Sequence, residues 1–226
     1  MRFQDAARDG RAVVYAGVQA EPVVARAAAL LADATPAERV MARAVMNGES
    51  TDPAAWMTMF PTLFGDDVPR GPERERSEAL LGVALEVADR GDQVRSQLRG
   101  AIVEAVTAVL LARRVGEAAV RRERRILFDG VRAEIHPYDV TVERDGAAEA
   151  YDCKWGARGI GADVLHQLDD ARGHAAEDDE PLRVALVIFD AERSCRVRLE
   201  RQTAPVAGTG LITIESLDRL ASGIPA

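Results

Sequence analysis

A single lysine stands in this chain, Lys154, two residues after Asp152 in the stretch EAYDCKW. Every other one of the 29 basic residues is an arginine. An ammonium group is a compact charge whose pKa shifts readily, whereas a guanidinium group is planar and stays charged. Beside a carboxylate, such a lysine can orient a water molecule or stabilise an oxyanion in a transition state. The spacing therefore predicts chemistry at Asp152 and Lys154.

A second carboxylate is expected to face Asp152 across a β-hairpin. The dipeptide Asp145-Gly146 lies between two strand-like runs, and Asp-Gly is strongly preferred in two-residue type I′ turns. Such a turn pairs residues whose numbers add up to 291, so that Asp139 faces Asp152 with Cβ atoms about 4.5–5.5 Å apart. A three-residue loop would instead pair Asp139 with Cys153.

The face of this hairpin that carries Asp152 also carries Lys154, because side chains alternate along a strand. Two opposed carboxylates repel each other unless a cation lies between them. Carboxylate oxygens suit Mg²⁺ or Mn²⁺ better than histidine or cysteine ligands do. In phosphodiester hydrolysis, such an ion can activate a water molecule and offset charge on the phosphate. The hairpin therefore predicts a metal site formed by Asp139 and Asp152.

A fourth candidate lies on a long helix that we predict over residues 93–114. Within its apolar run GAIVEAVTAVLLA, residues 100–112, Glu104 is the only charged residue. A helix that is apolar all round is buried, and a lone carboxylate there must be protonated, paired or bound to a cation. Two interpretations stay open: an ion pair with one of the arginines, or an acid of the metal or catalytic site.

The elements that would position these residues fall into two predicted domains. Residues 1–92 are expected to form a mostly helical region, with two short helices over 21–47 and another over 73–90. Thr35 is a plausible N-cap, since Glu38 follows it at capping-box spacing. The apolar cluster WMTMFPTLF, within 52–72, is expected to anchor a loop.

Residues 93–226 are predicted to form an α/β (α+β) domain with a mixed sheet flanked by helices. The expected order is a helix over 93–114, strands over 119–128, 133–144 and 148–155, a helix over 162–177, strands over 183–189 and 195–200, and a strand–helix stretch over 211–221.

With this element order, three short motifs resemble the PD-(D/E)xK, or restriction-endonuclease-like, superfamily over about residues 95–190. They are helical Glu104, PYD at 137–139 and DCK at 152–154. The resemblance implies an αβββαβ core and a Mg²⁺- or Mn²⁺-dependent nuclease. PYD departs from the family pattern, because one residue separates its proline from its aspartate.

The resemblance also implies a role for each matching residue. The metal ligands would be Asp139, Asp152, Glu104 and the carbonyl oxygen of Cys153. The catalytic set would be Lys154, Asp139, Asp152, Glu104 and Gln167. Gln167 resembles a glutamine of exonuclease-like branches, but Ala171 stands where those branches carry a tyrosine.

The distribution of charge bears on the substrate. The net charge of −8 argues against a broad basic surface for non-specific nucleic-acid binding. Residues 113–132 nevertheless hold seven arginines against three acids. This run either forms a solvated face or meets phosphates. On the second interpretation, Arg121 and Arg124 in this run, and Arg158 in the glycine-rich loop 155–163, contact the nucleic-acid backbone. DNA is the expected substrate, and RNA is not excluded.

Composition sets the remaining expectations. No apolar run approaches the ~18–20 residues of a membrane span, and Cys153 and Cys195 lack CxxC spacing. We therefore expect a cytoplasmic protein with reduced, buried thiols. The main hypothesis is an endo- or exonuclease of bacterial defence or DNA repair whose helical region binds a partner or a second copy. The alternative is a catalytically silent nuclease fold that serves as a binding or assembly module.

Overall fold

The computed structural model describes residues 1–6, 10–128, 131–132, 136–144, 146, 148–202 and 208–223. The chain divides into two compact units. We call residues 10–106 the helical unit, and residues 1–9 together with 107–226 the sheet unit.

The described part of the helical unit consists of six helices and the first part of a seventh, as the periodicity of its sequence predicts over much of its length. They are α1 (Gly10–Gln19), α2 (Pro22–Ala32), α3 (Pro36–Asn47), α4 (Pro53–Met59), α5 (Pro61–Phe64), α6 (Pro72–Ala88) and α7 (Asp92–Val115). The predicted helices over 21–47, 73–90 and 93–114 are confirmed. The expected loop around WMTMFPTLF instead forms the short helices α4 and α5, which bury Trp56 and Phe64.

Helices α2 to α6 each begin at a proline. Proline suits the first helical position, because its missing N–H has no intrahelical partner there and its φ is already helical. The predicted capping box of α3 is present: the Thr35 hydroxyl accepts a bond from the Glu38 N–H at 3.3 Å, and the Glu38 carboxylate accepts one from the Thr35 N–H at 2.7 Å. Local sequence signals therefore fix the starts of these helices.

The sheet unit is built on a mixed sheet. Its described strands are β1 (Arg2–Asp5), β2 (Val120–Phe128), β3 (Val131–Arg132), β4 (Tyr138–Val142), β5 (Ala148–Lys154), β6 (Leu182–Ile188) and β7 (Gly210–Ile212). The order across the sheet is β1-β2-β4-β5-β6-β7, with β3 paired to β2. Pairs among β1 to β5 are antiparallel, whereas β5–β6 and β6–β7 are parallel. The predicted α/β class with a mixed sheet is confirmed.

Helix α8 (Ala162–Glu177) connects the parallel strands β5 and β6 and packs on the sheet. A buried cluster joins them; its members include Ile126, Tyr138, Ala150, Leu165, Leu168, Leu186 and Ile188. Its apolar side chains repeat at helical spacing in α8 and at every second residue in β6, as a helix covering one sheet face requires. This core holds β4 and β5, the strands that carry the candidate residues.

The strand predicted over 195–200 is wrong, because these residues belong to helix α9 (Glu192–Glu200). Alternation of apolar residues with arginines suggested a strand, but the structure buries Cys195 and leaves Val197 42% exposed. Leu199 packs against the same core as Cys195, four residues away on one helical face. The last helix, α10 (Arg219–Ser222), follows β7.

The division between the units also differs from the predicted one between 92 and 93. It falls inside α7, and the N-terminal strand β1 joins the sheet unit by pairing with β2. The sequence pattern marks where α7 begins, whereas the β1–β2 pairing joins residues more than a hundred positions apart. No helix among the described residues has the length and apolarity needed to cross a membrane.

Candidate active site

The register of the β4–β5 hairpin agrees with the predicted one. Val140 pairs with Tyr151, Thr141 with Ala150 and Val142 with Glu149, so that the paired numbers add up to 291. Asp145 lies outside the described residues. Gly146 has a φ of 68°, the left-handed conformation that a type I′ turn requires.

Asp139 stands one residue beyond the last of these pairs and contacts β5 through its side chain. Its Oδ2 accepts a hydrogen bond from the backbone N–H of Cys153 at 2.6 Å. This oxygen also lies 3.7 Å from the Lys154 ammonium. The Asp139 carboxylate is therefore directed at the segment of β5 that carries Asp152 and Lys154.

Asp152 and Lys154 are in contact, as expected for neighbours on one face of a strand. The Lys154 ammonium forms an ion pair with Oδ1 of Asp152, which is only 5% exposed. Tyr151 and Cys153 instead turn towards α7: the Tyr151 hydroxyl lies 3.4 Å from Arg114, and the Cys153 thiol lies 3.6 Å from the Thr107 hydroxyl. Alternation along β5 therefore places Asp152 and Lys154 on one face and Tyr151 and Cys153 on the other.

The electrostatics of Lys154 follow from this geometry. Burial alone would lower the pKa of the ammonium, but the carboxylates of Asp139 and Asp152 outweigh that effect and raise the pKa above its ordinary value. These two carboxylates therefore favour the charged form of Lys154, which can donate hydrogen bonds and stabilise negative charge.

Sequence reasoning missed Glu123. Its neighbours in β2 pair with β4, Arg122 with Val140 and Arg124 with Tyr138, which leaves Glu123 at the level of Asp139. Carboxylate oxygens of Glu123 and Asp139 lie within 4.8 Å of each other. Glu123 also has a φ of 53°, which is uncommon outside glycine.

A signal for Glu123 was nevertheless present in the sequence. It is the one acid inside the run RRERR, residues 121–125, and a carboxylate among arginines on a strand is an exception that needs an explanation. Its partner could not be read from the sequence, because nine residues, 129–137, separate β2 from β4 along the chain.

The donor set of these residues fits a divalent cation. Carboxylate oxygens of Asp139 and Glu123 lie within 4.8 Å of each other, and Asp139 and Asp152 both contact the Lys154 ammonium. Hard oxygen donors of this kind are the ligands that Mg²⁺ and Mn²⁺ prefer. The Cys153 carbonyl stays a predicted ligand.

Glu104 belongs to the helical unit, where it is 4% exposed. Its carboxylate accepts hydrogen bonds from the Tyr15 hydroxyl at 2.5 Å and from the Gln19 amide at 2.7 Å. Two neutral donors thus contribute to the hydrogen bonding of this buried acid. Its place in a metal or catalytic site stays a prediction.

Gln167 is buried on α8 and holds the chain just before Asp139. Its Nε2 donates to the His136 carbonyl, and its Oε1 accepts from the His136 N–H, both at 3.0 Å. The Tyr138 hydroxyl donates to the Gln167 carbonyl at 3.4 Å. These contacts give Gln167 a positioning role, and its predicted catalytic role stays a prediction.

The three predicted nucleic-acid contacts have different surroundings. Arg121 and Arg158 are exposed. Arg124 is 14% exposed in its side chain and forms ion pairs with Glu143 and Asp5. The Glu143 carboxylate, bonded to Arg124, outweighs the effect of burial and raises the pKa of the guanidinium. Because two carboxylates already neutralise Arg124, the structure does not favour a phosphate contact there.

Comparisons with known proteins do not assign a family. No family model matches this chain, and no curated protein matches it. A solved structure described as the crystal structure of protein VC1899 from Vibrio cholerae is similar over 89% of this chain, with 14% sequence identity and a TM-score of 0.45. The match covers 55% of that chain, so this protein spans about half its length.

Proposed function

We propose that this chain is a metal-dependent phosphodiesterase that hydrolyses nucleic acid, and that DNA is its substrate. One observation carries the proposal: the Lys154 ammonium lies against Asp152 and 3.7 Å from Asp139 at the end of the β4–β5 hairpin. The resemblance of this core to the PD-(D/E)xK superfamily is part of the same proposal. The order α7–β2–β4–β5–α8–β6 supports it, with the two-residue β3 and two single-turn 3₁₀ helices (Glu117–Ala119 and Ala157–Gly159) as the intervening described elements.

Asp139 and Asp152, with Glu123 beside Asp139, would hold Mg²⁺ or Mn²⁺. A bound ion would supply a Lewis acid that offsets charge on the phosphoryl oxygens. Lys154 would donate hydrogen bonds to the attacking water or to a phosphoryl oxygen as negative charge develops there.

The substrate assignment rests on charge. The carboxylates repel phosphates, so that binding needs local cations, and Arg121 and Arg158 are exposed candidates in the sheet unit. The net charge of −8 implies that affinity for nucleic acid is modest, and that affinity should fall as the salt concentration rises. A partner protein bound by the helical unit would fit such a weak intrinsic affinity.

The alternative is a catalytically silent module of the same architecture. Its supporting observation is that Lys154 already contacts both aspartates, so that the pair is neutralised in part without an added cation. The two functions differ in what a divalent cation does: an enzyme needs one for turnover, whereas a silent module binds its partner in the presence of a chelator.

A cleavage assay tests the proposal. Plasmid, linear duplex and single-stranded DNA, and RNA, are incubated with Mg²⁺ or Mn²⁺ and the wild type, Lys154→Met or Asp139→Asn. Loss of the lysine donor should lower the cleavage rate by about 100-fold or more, as removal of one charge-stabilising donor does. Asp170→Asn is the matched control, because Asp170 is exposed on α8 in the same unit. Cleavage that survives both site variants would contradict the proposed site.

A further inference from the structure

The backbone of Gly159 lies directly against the aliphatic stem of Lys154. A Cβ atom added at Gly159 would lie 2.9 Å from both Cβ and Cγ of Lys154, and 3.1 Å from its Cδ. Distances this short cannot be kept by real side chains. Gly159 is not among the positive-φ glycines of the described residues, so the need for glycine here is one of space rather than of backbone conformation.

The contact involves the root of the lysine side chain. Lysine has a flexible four-carbon stem, and a clash at its far end would be relieved by rotation of the terminal bonds. A clash at Cβ and Cγ instead displaces the stem from its origin and moves the ammonium with it. The space left by Gly159 therefore helps to decide where the Lys154 Nζ atom lies.

The turn that carries Gly159 is anchored to the rest of the sheet unit. At its start, the Ala157 N–H donates to Oδ2 of Asp190 at 3.0 Å. At its end, the Ile160 carbonyl accepts a bond from the Arg198 Nε at 3.0 Å. Ile160 is fully buried in the core beneath α8. Because both ends are fixed, the turn cannot easily move away from Lys154.

The strand end beside this turn is anchored as well. The Lys154 carbonyl accepts a hydrogen bond from the Phe189 N–H at 2.9 Å. The Trp155 ring stacks on the Phe189 ring with centroids 5.0 Å apart. The backbone of Lys154 and the turn over its stem are thus held independently, which leaves the side chain a narrow slot.

We propose that residues 156–160 form a lysine clamp, in which Gly159 confines the stem of Lys154 and Asp190 and Arg198 hold the turn in place. The clamp restricts the ammonium to the position between Asp152 and Asp139. Gly159, Asp190 and Arg198 are therefore positioning residues. The effect on catalysis rests on the proposed function, whereas the confinement of Lys154 does not.

The clamp would contribute to catalysis by holding the Lys154 ammonium in place before the reaction begins. A charged donor accelerates a reaction most when it is already placed where charge develops, and a displacement of about 1 Å can cost about 100-fold in rate. The clamp should therefore affect the turnover number much more than the Michaelis constant, because Lys154 is not needed to bind the nucleic-acid backbone.

The chain offers a direct reporter, since Lys154 is its only lysine. Folded protein is reacted with an amine-reactive acylating reagent and then digested. Mass spectrometry of the peptides gives the rate at which Lys154 is modified, and the N-terminal amine is resolved on a separate peptide. Gly159→Ala is compared with Gly173→Ala, a control on α8 where an added Cβ would meet nothing within 4 Å.

We expect the reagent to acylate Lys154 several-fold faster in Gly159→Ala than in the wild type. In Gly173→Ala, the acylation rate should equal that of the wild type. Cleavage assays on the same proteins should show a loss of kcat of about 100-fold for Gly159→Ala with a nearly unchanged KM. Unchanged acylation in a folded Gly159→Ala protein would overturn the clamp. Faster acylation with no cleavage even in the wild type would support the clamp and reject the proposed function.

A second variant guards against misfolding of the first. Arg198→Met keeps the length of the side chain but removes the Nε–H bond to the Ile160 carbonyl, and Arg198 is partly exposed. It should raise the acylation rate of Lys154 by less than Gly159→Ala does. A cooperative thermal unfolding transition would show that the Arg198→Met protein is folded. If Lys154 in that protein is acylated at the wild-type rate, the anchoring role of Arg198 is contradicted.

Discussion

The helical unit and the sheet unit both bury carboxylates, but they compensate them differently. In the helical unit, Glu38 is 1% exposed and receives bonds from Arg76, from the Ser77 hydroxyl and from the Thr35 N–H. In the sheet unit, Asp139 and Asp152 both contact the Lys154 ammonium, and Asp139 also accepts a bond from the Cys153 N–H. A carboxylate held by an arginine, a hydroxyl and a backbone N–H is typical of a structural role, whereas two acids that converge beside one lysine offer oxygen donors that suit a divalent cation.

A control for this comparison lies within the sheet unit itself. Glu149, three residues before Asp152, is paired in a bidentate manner with Arg114, at 2.8 and 2.5 Å, and also accepts a bond from the Tyr151 hydroxyl. Strand β5 therefore carries one acid of each kind. The difference belongs to the local partner set and not to the unit.

The largest expected effect comes from removing the arginine that neutralises the buried Glu38 carboxylate. Arg76→Met leaves the buried Glu38 carboxylate without its cation, which should lower the free energy of unfolding at pH 7 by about 3 kcal/mol. Urea unfolding measures it. Asp139→Asn is the contrast: it removes one of two neighbouring acids and should change stability by less than about 1 kcal/mol. Equal losses in the two variants would remove the distinction between the clusters.

The same cluster should respond to pH. Burial acts to raise the pKa of Glu38, but Arg76, the Thr35 N–H and Ser77 together lower it below its ordinary value. Since the folded pKa lies below the unfolded one, the stabilisation is complete above the unfolded pKa of about 4.3 and is lost as the pH falls through the folded value. Stability of the wild type should fall across this window by more than that of Arg76→Met.

A smaller effect tests whether Glu123 belongs to the site of Asp139, Asp152 and Lys154. Glu123→Gln keeps the shape of the side chain and removes its charge beside Asp139, so cleavage should fall by about tenfold and require more Mg²⁺. Glu117→Gln is the matched control, because Glu117 is exposed just before β2. A Glu123→Gln enzyme with wild-type activity and metal dependence would place Glu123 outside the site.

The smallest expected effect is a change in the salt dependence of DNA binding, which should distinguish exposed arginines from one that is paired with carboxylates. Arg158→Gln and Arg121→Gln should each reduce the slope of log affinity for duplex DNA against log salt by about 1, as loss of one phosphate contact does. Arg124→Gln should leave the slope unchanged, because Glu143 and Asp5 already neutralise this side chain. Fluorescence anisotropy in Ca²⁺, over a series of salt concentrations, measures all three slopes.

How much could be predicted from the sequence depended on how local each signal is. The β4–β5 register followed from a turn dipeptide and strict alternation, both contained within twenty residues. The capping box of α3 was equally local. Both predictions agree with the structure, and the register places Asp139 beside the segment of β5 that carries Asp152 and Lys154.

Features that depend on distant pairing could not be predicted. Strand β1 joins the sheet only through β2, and Glu123 reaches the level of Asp139 only through the β2–β4 register. The alternation in residues 195–200 indicated a strand, but burial of Cys195 and Leu199 on one face selected a helix. The neutral donors to Glu104, Tyr15 and Gln19, lie on a helix that the sequence pattern did not reveal.

The proposed function requires Asp139 and Asp152 to bind a divalent cation. Calorimetric titration of Mn²⁺ into the wild type and into the Asp139→Asn, Asp152→Asn double variant tests it most directly. Asp170→Asn serves again as the control. We expect saturable Mn²⁺ binding to the wild type and to Asp170→Asn, and no binding to the double variant. Identical isotherms for the wild type and the double variant would contradict it.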